Sequence, residues 1–99
     1  MNEAMAPRFQ PGDIVKHFKR DLSGEDVLAV EPNKYLYEVV SWARHSETDE
    51  RYVVYRALYG TKETWVRPYA MFMEEVDREK YPQVEQKFRF EKYEGPVAR

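Results

Sequence analysis

Apolar and polar positions alternate with a period of two through most of the chain, the pattern of half-buried strands rather than helices. After the turn signal Pro11-Gly12, residues 13–19 place Ile14, Lys16 and Phe18 on one face and Val15 and His17 on the other. Residues 35–44 make the strongest strand, rich in Val, Tyr and Trp, which pack well on a pleated surface. There Tyr35, Tyr37, Val39 and Ala43 share one face, and Leu36, Val40 and Trp42 take the other. A polar turn at 46–50 leads into residues 51–59, where Val53, Tyr55, Ala57 and Tyr59 alternate against Tyr52, Val54 and Leu58. The loop Gly60-Thr61-Lys62-Glu63 opens a short strand at 64–67, stopped by Pro68, and a last strand starts at Lys87 with Phe88 and Phe90 on one face.

Two stretches break this rhythm. In residues 21–30, Ser23 followed by Asp26 resembles a capping box, with Glu25 and Asp26 at the positive end of a short helix. That helical turn runs through about Ala29 and is stopped by Pro32 and Asn33. From Pro68, a first-turn residue, Tyr69, Phe72, Met73 and Val76 fall at the spacing of one helical face over two turns. Five strands with one or two short helical turns predict a mostly β fold, a small antiparallel barrel or strongly bent sheet.

The length of 99 residues allows a single domain, residues 1–99, with an ordered core at about 9–93 and loose ends at 1–8 and 94–99. A modest core must draw on eight Tyr, five Phe and two Trp, so most aromatics are committed to packing. Apolar residues make up 42% and charged residues 34% of the chain, too hydrophilic for a membrane protein and too aromatic for a disordered one. No window approaches the apolar length of a membrane helix, and the N-terminal residues lack a signal-peptide pattern. With no Cys, disulfides, thiolate chemistry and Cys-ligated zinc are excluded. A cytoplasmic location is expected.

The net charge of −2 disfavours a dedicated nucleic-acid module, which normally carries a basic excess. It conceals a polarised middle: residues 21–50 hold eight acidic and two basic side chains, whereas residues 51–70 hold one acidic and four basic.

The runs Pro11-Gly12-Asp13-Ile14-Val15-Lys16-His17-Phe18 and Asn33-Lys34-Tyr35-Leu36-Tyr37-Glu38-Val39-Val40 carry a resemblance. So do Ala43-Arg44-His45-Ser46-Glu47-Thr48, Val53-Val54-Tyr55-Arg56-Ala57-Leu58-Tyr59-Gly60 and Trp65-Val66-Arg67-Pro68, followed by Met71-Phe72. Together they resemble a small bacterial and phage family, domain of unknown function 1653, over about residues 9–93. The resemblance implies a fold related to the SH3-like barrel and brings no activity, cofactor or catalytic residue. Asp49 stands where that family often has Gly, and Trp42 where a smaller aliphatic residue is more usual.

Candidate chemistry is sparse. His45, Ser46 and Glu47 are adjacent, and neighbours on a strand point apart, so they form no triad. With Thr48 and Asp49 they are assigned to fixing the hairpin turn. His17 and His45 with Asp13 or Glu47 lack metal-ligand spacing, and Glu74-Glu75 reads as solvated surface. No metal, cofactor or catalytic residue is expected. The more informative set is Tyr59, Trp65 and Arg67, with Trp42, Arg44 and Arg56 nearby, because aromatics with Arg suit a recognition surface. Tyr59 and Trp65 are equally accounted for as core. A non-catalytic module for a protein or peptide partner is expected. Nucleic-acid binding through residues 51–70 is the alternative, an accessory domain of an enzyme the third reading, and self-association is left open.

Overall fold

The computed structural model describes residues 8–98. Its strands are β1 (Ile14–His17), β2 (Leu36–Arg44), β3 (Arg51–Ala57), β4 (Thr64–Pro68) and β5 (Phe90–Lys92). Helices α1 (Lys19–Leu22) and α2 (Glu25–Val30) lie between β1 and β2, and α3 (Tyr69–Phe72) follows β4. The protein is mostly β, as the alternation predicts. All five strands pair antiparallel in one open sheet of order β4-β3-β2-β1-β5, an arrangement compatible with a small barrel-like fold. None of the described helices is long and apolar enough to cross a membrane.

One face of the sheet carries the core. Val15, Val39, Val53, Tyr55 and Phe90 are buried there, closed over by Phe72 of α3 and by Phe9. Phe72 stacks on Phe90 with centroids 4.1 Å apart, and Phe9 and Tyr55 meet Phe72 edge-on at 5.9 and 5.1 Å. These are the offset and edge-on geometries that aromatic quadrupoles favour. Phe18, Val76 and Val84, with Tyr81 against them, form a smaller second cluster.

The core face differs from simple alternation at one residue. Val39 pairs with Tyr55, yet Ser41 pairs with Val54, so Val40 is an extra residue in β2. Beyond this bulge the faces exchange. Trp42 lies opposite Val53 on the core side and packs against the main cluster, while Ala43 turns to the other face. The predicted grouping of Trp42 with Leu36 and Val40 is corrected accordingly.

Boundaries also move. β1 ends at His17 because the chain turns helical at Phe18, and His17 Nδ1 accepts the Lys19 amide at 3.1 Å. Ser23 does not cap α2: its hydroxyl donates to the Lys19 carbonyl and its amide to the Arg20 carbonyl at the end of α1, and Gly24 is the residue before α2. Tyr35 sits at φ 63°, just outside β2, and β3 ends at Ala57 rather than Tyr59. α3 makes one turn instead of two. β5 begins at Phe90, with Phe88 joined only by a bridge to Glu75. At the far end of the chain, Asn33 holds Ala98 by two hydrogen bonds of 2.8 Å. Of the terminal segments predicted to be loose, residues 1–7 and 99 lie outside the described residues.

Candidate functional site

β4 is an edge strand, paired with β3 on one side only. Its short run of Thr, Trp, Val and Arg has high β propensity, and Pro68 ends it by lacking an amide hydrogen. Trp65 and Arg67 face the same side as their partners Tyr55 and Val53. Trp65 is 53% exposed. Arg67 is half-buried, and its Nε donates to the Tyr55 hydroxyl at 3.4 Å, which fixes the guanidinium against the sheet.

Tyr59 lies just beyond β3 and completes this surface. Gly60 at φ 60° and Lys62 at φ 57° turn the loop back toward β4. Between that loop and the strand is a cavity of about 170 Å³ lined by Ala57, Tyr59, Gly60, Thr61, Glu63 and Trp65. Its walls offer one aromatic face from each side. Tyr59 is itself braced: its hydroxyl and that of Tyr37 are 2.8 Å apart, and Lys34 lies 5.5 Å from its ring centroid. Burial first, and then the hydrogen bond with Tyr59, raise the Tyr37 phenol above its ordinary range, so Tyr37 stays neutral. Tyr35 adds a third ring, 5.7 Å from Tyr59.

The structure brings Tyr59 and Trp65 to one cavity, places Arg67 two residues along β4 on the same face, and sets Arg56 and Arg44 apart from them. Arg56 is on the opposite face and is engaged by Glu38 at 2.8 Å. Trp42 is half-buried against Tyr69, with ring centroids 6.0 Å apart. Trp42 and Arg67 both pair with Val53, so they flank it on one face, roughly 20 Å along the sheet from Tyr59 at about 3.3 Å per residue. Arg44 is at that same far end, paired with Asp49 at 3.0 Å. Tyr35 and Tyr37 were missing from the sequence-based set, although their spacing in a strand beside Tyr59 places Tyr37 on this side.

The β2–β3 hairpin is organised by its backbone and short side chains. His45 Nδ1 accepts the amides of Glu47 and Thr48 at 3.1 and 3.3 Å, and Thr48 Oγ1 accepts that of Glu50. Ser46 is exposed within the turn. Asp49 has φ 63°, a left-handed conformation that short polar side chains and Gly tolerate. The exposed Asp49–Arg44 pair adds little stability. Asp49→Val is therefore expected to cost about 1–2 kcal/mol, and Asp49→Gly to stay within about 0.5 kcal/mol of the parent. Urea midpoints compare the three proteins directly.

His17 and His45 each use Nδ1 to accept a backbone amide, and neither bonds a carboxylate among the described residues. No three His, Asp or Glu side chains converge there as a metal-ligand group. The arrangement offers aromatic planes, one fixed guanidinium and an open strand edge, which is chemistry for contact.

A family model described as a protein of unknown function (DUF1653) matches residues 13–92. No curated protein and no solved structure matches the chain.

Proposed function

Starting from the chain's membership of the DUF1653 family, we propose that it is a non-catalytic binding module that contacts a protein or peptide partner through Tyr59, Trp65 and Arg67. The observation that carries this reading is the position of Trp65. A tryptophan left half in water on an edge strand, beside a cavity it shares with Tyr59, is a contact residue waiting for cover. Arg67 supplies a charged donor on the same face, two residues along β4. The strand meander with β5 returning to β1 supports an SH3-like barrel, a scaffold on which aromatic surfaces hold extended peptides. Absence of Cys accords with action in the cytoplasm.

The basic segment 51–70 favours this reading over nucleic acid because its charges do not form one track. Arg56 is on the opposite face from Arg67 and bound to Glu38, and Arg51 lies over the Tyr69 ring, 4.2 Å from its centroid. A phosphate backbone needs cations aligned along a groove.

The test is a pull-down from the native host with tagged parent, Trp65→Ala and Arg67→Ala chains, each lysate divided into nuclease-treated and untreated halves. One protein recovered in both halves by the parent, and reduced about tenfold by Trp65→Ala, is expected. Trp65 is too exposed for its loss to unfold the domain. Recovery that vanishes after nuclease overturns the reading in favour of nucleic acid. Equal recovery by Trp65→Ala removes this surface from the reading.

A further inference from the structure

The two edges of the sheet are finished differently. β5 is three residues long and carries an exposed Lys92, devices that discourage pairing with another chain. β4 is five residues long, its ladder to β3 is regular, and it exposes Trp65 on one face and Val66 on the other, the latter at 62%. The backbone of β4 is also set for a further strand. The Ala57 amide donates to the Glu63 carbonyl at 3.0 Å. By the alternation of an antiparallel ladder, residues 63, 65 and 67 direct their backbone groups to β3, and Thr64 and Val66 direct theirs outward. Pro68 then contributes only a carbonyl to the open edge.

We propose that the occupant of this edge is a second copy of the chain, its β4 paired antiparallel with β4 about a two-fold axis at Trp65. This rests on the reading that the Trp65 surface binds protein, and names the partner. The register follows from the residues themselves. With the axis at Trp65, Thr64 and the partner's Val66 exchange backbone hydrogen bonds, and the converse pair does the same. Trp65 faces the partner's Trp65 at a non-hydrogen-bonded position, where side chains come closest. Glu63 faces the partner's Arg67, and this opposite-charge pair occurs twice. Glu63 and Arg67 have no ion-pair partner within the described residues, whereas Arg56 and Arg44 are paired already. Moving the axis to Val66 sets Thr64 against the partner's Pro68 and loses a donor. Moving it to Thr64 sets Glu63 against the partner's Trp65. Only the Trp65 register matches charge, apolar surface and backbone donors together, as an isologous contact requires.

Sedimentation of the full chain from about 20 to 400 µM is expected to show a monomer–dimer equilibrium, the weak affinity that a short edge contact supports. Arg67→Glu sets two acids against each other at both ends of the contact and is expected to weaken the dimer about tenfold. The double variant Glu63→Arg with Arg67→Glu restores opposite charge and is expected to recover the parent affinity, which a folding defect at Arg67 would not allow. Because the chain has no Cys, Trp65→Cys supplies a single thiol. The two thiols meet at the axis with Cα atoms about 4.5 Å apart, within disulfide reach, and mild oxidation is expected to cross-link this variant and not Lys62→Cys. A chain that stays monomeric overturns the pairing, as does cross-linking no greater for Trp65→Cys than for Lys62→Cys, or a double variant as weak as Arg67→Glu. If the monomeric chain still captures a host protein through Trp65, the pairing alone falls and the binding surface stands.

Discussion

Phe72→Ala is expected to remove about 3–5 kcal/mol of folding stability, a large part of the roughly 5–15 kcal/mol available to a domain of this size. The side chain is fully buried and joins α3 to the sheet. It stacks on Phe90 and meets Phe9 and Tyr55 edge-on, so truncation leaves a cavity that three aromatic rings line. Such rings collapse poorly, because each is already fixed by other neighbours. Phe90 also meets Tyr37 and Tyr55 at 5.7 Å, and Tyr55 meets Tyr37 at 5.5 Å. Phe72→Leu keeps most of the volume and is expected to cost about 1–2 kcal/mol. Urea unfolding followed by circular dichroism measures both. A loss under about 1 kcal/mol for Phe72→Ala would show that α3 does not close the core.

Phe72 also shows how far apolar spacing reports structure. Tyr69, Phe72, Met73 and Val76 have the spacing of one helical face, and the first turn forms. The second does not, because other chain segments take its backbone. The Glu74 carbonyl accepts the Arg89 amide at 2.9 Å, and the Val76 amide donates to the Lys87 carbonyl at 2.8 Å. Val76 is buried after all, in the Phe18 cluster rather than beside Phe72. Periodicity identified the apolar positions; the partner that ordered them is more than ten residues away and leaves no local pattern.

The candidate site was legible where it depends on strand alternation. Trp65 and Arg67 share a face because they are two apart on a strand, and Arg56 opposes Tyr55 for the complementary reason. Trp42 was not legible. Its face depends on the extra residue at Val40, and Val40 is an ordinary strand former that gives no sign of a bulge. The exposure of Trp65 was equally hidden, since a tryptophan in a strand is buried or open according to what covers the sheet. Here Trp65 lies on the edge strand and stays 53% exposed, an outcome of the strand order that no local pattern reports.

His17 makes stability fall on acidification. Its imidazole stacks on Phe18 at 4.4 Å, meets Phe90 edge-on at 5.0 Å, and accepts the Lys19 amide at Nδ1. Burial, and then the positive charges of Arg89, Lys19 and Arg67, lower its pKa from 6.5 to about 3. The folded state therefore takes up this proton less readily than the unfolded chain. The stabilisation is fully present above about pH 6.5, and is lost as pH falls from there toward 3, where the unfolded imidazole is charged and the folded one is not. The loss is expected to reach about 3–5 kcal/mol. Carboxylates titrate in the lower part of this window, so the difference between parent and variant isolates the imidazole. His17→Phe keeps an aromatic ring against Phe18 and Phe90 and forfeits the Nδ1 acceptor, which lowers stability at neutral pH by about 1 kcal/mol. Its stability is expected to decline less steeply, so that it overtakes the parent between pH 6 and 4. Urea unfolding at each pH gives the two curves, and the imidazole carbon shifts of folded parent protein report the proton itself. A folded His17 that titrates between pH 6 and 7 would remove the imidazole from the acid response and leave the two curves parallel.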